Sequence, residues 1–244
     1  MMLFANGCSM TIGWELGGQQ IGQDGILVHD LDPIYKEKNA WPKKLADYLN
    51  MSCTNYAIAG SSNDRIIRTT MDWTANYLRN NKAEDLFVVI GWTAPSRVEF
   101  RINQVWRDLL PYSGTKEKNL QKIYNFYTRY IHDDDADNIR TVINILSLQS
   151  WLKTNKIPYL FCNCFYADGL NIDYSTFSDI SSMINYIDSA RYYGDYNDPL
   201  VAMQRVCRGL PKGPGGHPLI EGHDKWATIL YQYIKENRLL KHDV

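Results

Sequence analysis

The chain has 244 residues, 45% of them hydrophobic and 22% charged, a make-up that fits a folded globular protein and excludes a wholly disordered, collagen-like or coiled-coil chain. With 26 Lys and Arg against 27 Asp and Glu the net charge is -1, so no global field draws it onto nucleic acid or an anionic membrane. Apolar runs such as 86–91 fall far short of the ~20 residues of a membrane helix. The opening Met1-Met2-Leu3-Phe4-Ala5 lacks the charged and long apolar regions of a signal peptide, so a cytoplasmic location is expected, with neither nucleic acid nor membrane as partner. Cys8, Cys53, Cys162, Cys164 and Cys207 make an odd count without zinc-like spacing and read as reduced core thiols.

In chain order, a first strand is predicted from Met2 to Asn6, running into Asn6-Gly7-Cys8-Ser9-Met10-Thr11. Helical spacing follows Trp41-Pro42 at Leu45, Tyr48 and Leu49. A second strand is predicted from Cys53 to Ala59, and a helix beyond it carries Ile67, Met71, Thr74 and Leu78. The third strand, Leu86 to Gly91, is almost wholly apolar, as expected of a strand buried on both faces of a parallel sheet. Ile139, Val142, Ile143 and Leu146 mark another helix, Tyr159 to Cys164 a fourth strand, and Trp226, Ile229, Leu230 and Tyr233 the last helix. The alternation predicts one α/β domain over 1–244: a three-layer α/β/α fold with a mainly parallel, flavodoxin-like sheet.

Two aromatic-rich stretches, about 92–138 and 165–216, are too long to be simple connections. Both follow strand ends, so partly helical insertions forming a lid or groove wall are expected, with accessory packing or an oligomer surface as the alternative. The run Asp133-Asp134-Asp135-Ala136-Asp137 beside His132 lacks the pattern of a calcium loop and reads as a solvated helix start.

Chemistry concentrates at three points. Ser9, after a buried first strand and the small Gly7-Cys8 pair, is placed for a nucleophile at the carboxyl edge of the sheet, with helix capping as the alternative. Gly60 lets backbone approach a ligand, and Ser62 or Asn63 suits either an oxyanion site or the cap of the next helix. His217 lies on a loop ahead of a helix expected about five residues later, where it can act as a base toward a group on the first strand. Trp92 and Arg97 fall just past the most buried strand, where a sugar ring and a carboxylate are their respective candidate ligands, with ordinary packing and a solvated charge as the alternatives. His223 is expected to cap or pack at the start of the last helix.

Taken together and in this order, Gly7 and Ser9, Gly60, and His217-Pro218 followed by Gly222-His223 resemble the sequence blocks of the SGNH/GDSL hydrolase superfamily of esterases, lipases and carbohydrate deacetylases. The resemblance implies a serine-dependent ester hydrolase, esterase or deacetylase, with Ser9 as nucleophile, His217 as base and Gly60, Thr93 or Asn63 around the oxyanion. It implies no cofactor and no metal, and a small-molecule or carbohydrate ester as substrate. An acyltransferase of the same fold, or a binding protein with weakened catalysis, are the alternatives. Three departures stand out: Cys8 replaces the usual aspartate of the first block, Thr93 the asparagine of the third, and Pro214 the aspartate that orients the histidine. Asp168, Asp195 and Asp198 are loop carboxylates that could stand in for that aspartate.

Overall fold

The computed structural model describes residues 1–21, 27–30, 32–111, 118–165, 182–194, 196 and 201–240. In chain order its elements are β1 (Met2–Gly7), α1 (Ser9–Ile12), β2 (Gln19–Ile21), β3 (Leu27–Asp30), α2 (Pro33–Asn39), α3 (Trp41–Tyr48), β4 (Ser52–Asn55) and α4 (Asn63–Leu78). They continue with β5 (Leu86–Trp92), β6 (Val98–Ile102), β7 (Val105–Leu109), α5 (Lys118–Tyr130), α6 (Asp134–Thr154), β8 (Tyr159–Asn163), β9 (Tyr192–Tyr193), α7 (Met203–Val206) and α8 (Ile220–Glu236).

The central sheet runs β4-β1-β5-β8-β9, and every neighbouring pair is parallel. Counted by appearance this is the order 2-1-3-4-5, the flavodoxin-like arrangement expected from the sequence. The reversal of order falls between β1 and its neighbours, which places the end of β1 at the switch point where such sheets bind ligands.

Side-chain alternation splits the core into two layers. Leu3, Ala5, Phe87 and Val89 face Trp41 and Leu45 of α3 and Trp226 and Leu230 of α8. Phe4, Leu86, Val88 and Ile90 face Ile66 of α4 and Val142, Ile145 and Leu148 of α6. Adjacent β5 residues thus belong to opposite clusters, and all seven are buried, which is why that strand is apolar throughout. Among the described residues, no helix is long and apolar enough to cross a membrane.

The second strand ends at Asn55 rather than Ala59. Beyond it Tyr56 and Ile58 N–H still reach the Ala5 and Gly7 carbonyls of β1 at 2.8 and 3.3 Å, and the chain then turns, Ser61 N–H meeting the Ile58 carbonyl at 3.2 Å. The stretch after β5 folds as the β6–β7 hairpin and α5. Glu99 on β6 receives both arms of the Arg68 guanidinium at 2.6 and 2.7 Å, which clasps the hairpin to α4. Much of 165–216 lies outside the described residues, including Asp168, Asp195 and Asp198.

The acidic run is only partly the solvated helix start expected of it. Asp133 caps α6 through Ala136 N–H at 2.8 Å, but Asp137 is buried and held by His132 at 2.7 Å and Arg140 at 2.8 Å. It lies a helical turn further on, on the face that packs inward.

Candidate active site

Ser9 opens α1 directly beyond the end of β1 and is 6% exposed. The seat for that short helix is made by two glycines. Gly7 and Gly91 are partners in the β1–β5 ladder. A Cβ on Gly7 would run into the Thr11 side chain and lie 2.8 Å from the Gly91 carbonyl; one on Gly91 would meet Cys164 Sγ and lie 2.6 Å from Thr11 Oγ1. Only bare backbone at both positions lets α1 lie across the strand ends. Asn55 then fixes it by donating to the Thr11 carbonyl at 3.0 Å, and Asn6 ties β1 to α4 through Thr69 and Thr70 at 2.9 and 3.0 Å.

Six residues beyond Ser9, Glu15 supplies what the last sequence block lacks. Its carboxylate is 1% exposed and accepts three N–H groups: the backbone of Gly215, the backbone of His217 at 2.9 Å, and His217 Nδ1 at 2.9 Å. Such a buried carboxylate is tolerable only because donors surround it. Gly213 and Gly215 make the enclosure possible, since a Cβ on either would lie within 3 Å of the Glu15 carboxyl group. Glu15 itself sits at φ 75°, a left-handed conformation that costs a non-glycine residue of order 1 kcal/mol or more.

The His217 loop is closed on itself by Gly213 N–H to the His217 carbonyl at 2.9 Å and by Leu219 N–H to the Pro211 carbonyl at 3.0 Å. The last helix starts at Ile220, sooner than the sequence suggested. His223, in its first turn, is fully buried and accepts the Trp41 N–H on Nδ1 at 3.0 Å. It therefore caps α3 instead of its own helix. Burial, with Lys44 and His217 nearby, pushes its pKa down to about 3, so the ring is neutral.

On the other side of the β1 end, Gly60 takes φ 82° in the turn closed by Ser61 N–H, which leaves the Gly60 N–H outside that turn's hydrogen bonding. Ser62 caps α4, its hydroxyl accepting Arg65 N–H at 3.2 Å. Asp108 of β7 takes the Ser62 N–H and hydroxyl at 2.9 and 2.7 Å, so the hairpin braces this turn. Burial raises the Asp108 carboxyl above its ordinary value, and the two Ser62 bonds oppose the rise.

Two sequence expectations are corrected. Asn63 does not offer its amide to an oxyanion: its side chain accepts Thr93 N–H at 3.0 Å and donates to the Thr93 carbonyl at 3.1 Å and to Thr141 at 3.3 Å. Trp92 is 1% exposed and packs edge-on to Phe161 in the α4–α6 layer, because the strand alternation turns it inward. Thr93 is buried with its hydroxyl free of any partner among the described residues. Arg97 is half-buried, donates to the Ser61 carbonyl at 3.5 Å and lies over the Phe165 ring. Sequence reading missed Glu15 and Asp108. Glu15 lies just past the motif segment, and its reach depends on a backbone angle that no residue type signals. The cysteines are free, and burial pushes Cys207 up to about 11 and Cys164 well above the usual thiol value, so these stay protonated.

A model described as a family of unknown function, DUF6071, matches residues 27–243. The chain belongs to DUF6071. The match covers Gly60, Thr93, Arg97 and His217, and begins downstream of Ser9 and Glu15. No curated protein matches the sequence. Among solved structures, this DUF6071 chain is similar to a family two carbohydrate esterase from Clostridium thermocellum in complex with cellohexaose, at TM-score 0.55 and 15% identity over 97% of this chain and 64% of the other. It therefore spans less than two thirds of that esterase's length. It is also similar to a putative lipolytic protein of the G-D-S-L family from Desulfitobacterium hafniense DCB-2, at TM-score 0.52 and 11% identity over 95% and 98% of the two chains. The structure of TesA aligns at TM-score 0.54 and 11% identity over 97% and 99%. At these identities the likeness shows the fold: a parallel sheet between helical layers, shared with carbohydrate esterases and a lipolytic protein.

Proposed function

We propose that this protein is a serine-dependent ester hydrolase of the SGNH type, removing an O-acyl group from a carbohydrate or another small polar ester. The observation that carries this reading is the Glu15–His217 pair, 2.9 Å apart and tied to the same segment as Ser9. With Nδ1 engaged by a carboxylate, the imidazole is held in the tautomer whose Nε2 accepts a proton. In this reading Ser9 Oγ attacks the acyl carbon while its proton passes to His217 Nε2. The oxyanion is held by the N–H groups of Ser9 and Gly60 and by the Thr93 hydroxyl, a donor in place of the family's asparagine. The intermediate collapses as His217 returns the proton to the leaving alcohol. Water then attacks the acyl-serine with His217 again as base, releasing the acid and restoring Ser9. The sugar-bound esterase among the similar structures supports a carbohydrate ester as the class to screen first.

Labelling with a fluorophosphonate probe followed by peptide mass spectrometry tests the nucleophile without a known substrate. The expected adduct is on Ser9, absent in Ser9→Ala and strongly reduced in His217→Ala. Well-folded protein that takes no label on Ser9 would overturn the proposal.

A further inference from the structure

Of Arg65, Arg68, Arg97 and Arg140, three are neutralised within the protein. Arg68 is bidentate on Glu99, Arg65 lies 3.5 Å from Glu99 and 3.7 Å from Asp108, and Arg140 lies 2.8 Å from Asp137. Arg97 has no carboxylate partner among the described residues. Its contacts among the described residues are the Ser61 carbonyl at a long 3.5 Å and the Phe165 ring, whose centre is 4.8 Å from the guanidinium carbon. Both lie at the candidate site. Ser61 follows Gly60, and Phe165 is joined to the end of β5 by its N–H to the Trp92 carbonyl at 3.4 Å. The guanidinium is thus stretched over the strand end next to Thr93, steadied by a ring face and a carbonyl while most of its five N–H donors remain for another group.

We infer that Arg97 is the docking point for an anionic group on the substrate, a carboxylate above all, so that the ester cleaved at this site is an acidic one. This inference rests on the hydrolase reading. A half-buried cation with no carboxylate partner among the described residues gains most from a ligand that brings one, and the planar fork of Arg matches a carboxylate in a way that an ammonium does not. Ordering by Phe165 and Ser61 lowers the entropy that binding has to overcome.

The test compares esters that differ only in charge: 4-acetoxybenzoate against 4-acetoxybenzamide, and monophenyl succinate against phenyl succinamate, which place the anion on the alcohol side and the acyl side respectively. For at least one pair, kcat/KM should favour the carboxylate by about tenfold or more, as one charge-assisted pair supplies. That ratio should fall toward one in Arg97→Gln and survive in part in Arg97→Lys. The same pairs titrated calorimetrically into Ser9→Ala, with and without Arg97→Gln, read the preference without turnover. A ratio near one in the Arg97-containing protein, or one unmoved by Arg97→Gln, overturns the inference. The two readings fail separately: Ser9 without a label but with Arg97-dependent carboxylate binding sinks the hydrolase and keeps the anion site, whereas a labelled, active Ser9 without the preference does the reverse.

Discussion

The Glu15 carboxylate holds both the backbone N–H and the ring Nδ1 of His217 at 2.9 Å, from a position 202 residues earlier in the chain. In Glu15→Gln one of the two oxygens becomes an N–H donor facing other donors, and the ring loses its anionic acceptor. The expected outcome on a generic aryl ester is a fall in kcat of about 10²–10⁴, by analogy with loss of the orienting aspartate in a serine triad, with KM little altered. The split matters because a purely structural Glu15 would lower the fraction of folded enzyme and leave kcat per labelled active site alone. An unchanged kcat per Ser9 site would reduce Glu15 to a loop anchor.

The glycine pair beneath α1 yields a second prediction. Gly91→Ala forces a methyl group against Cys164 and Thr11, and overpacking of this sort costs about 1–3 kcal/mol. Because Thr11 shares the four-residue helix that begins at Ser9, fluorophosphonate labelling of Ser9 should slow along with the loss of stability. Gly209→Ala, where a Cβ would meet nothing within 4 Å, is the matched control and should change neither. Equal behaviour of the two variants in urea unfolding would show that α1 tolerates the shift.

Asp108 links the hairpin to the turn that carries Gly60. Asp108→Ala leaves the Ser62 N–H and hydroxyl without their acceptor, a loss of about 1–3 kcal/mol for groups withdrawn from water. The hairpin itself stays clasped through Glu99 and Arg68, so the expected result is local: reduced kcat from a loosened Gly60 turn and a modest drop in unfolding midpoint. Asp108→Asn keeps one oxygen acceptor and should restore most of both. A kcat equal to wild type in Asp108→Ala would separate the hairpin from the oxyanion turn.

The layers of this fold were legible in the sequence because burial on two faces writes itself into residue type: Leu86 to Ile90 is apolar throughout, and the helices repeat at Leu45, Ile67, Val142 and Trp226. Ser9, Gly60 and His217 were legible as site candidates because glycine and strand-end placement are local signals. Glu15 was not, since its role follows from a positive φ at a residue type that rarely adopts one and from a loop 200 positions away. Trp92 and Asn63 misled for a related reason. Which way a strand-end side chain points is set by register, here the Gly7–Gly91 pairing, and the demand of the Thr93 backbone for Asn63 arises only when β5 and α4 pack together.

His223 gives a pH dependence whose sign is fixed. In the folded chain its pKa lies near 3, because burial, then Lys44 and His217, oppose the charge; an unfolded chain takes up the proton near 6.5. Between these values the unfolded state binds one more proton, so the stability that His223 contributes is complete above about pH 6.5 and is lost toward pH 3 at up to ~1.4 kcal/mol per pH unit. Urea unfolding of the wild type from about pH 7.5 down to about pH 4.5 should show this slope. His223→Asn, which keeps a short acceptor for Trp41 N–H but cannot titrate, should start lower and run flatter. Parallel curves for the two proteins would mean that another group sets the acid limb. The effect reaches the candidate site, because His223 joins the first turn of α8 to α3 six residues beyond His217. Protonation that expels His223 releases the helix start on which the His217 loop is built, so the near-ultraviolet signal of the buried Trp41 and Trp226 should change in acid at a higher pH than the far-ultraviolet helix signal does.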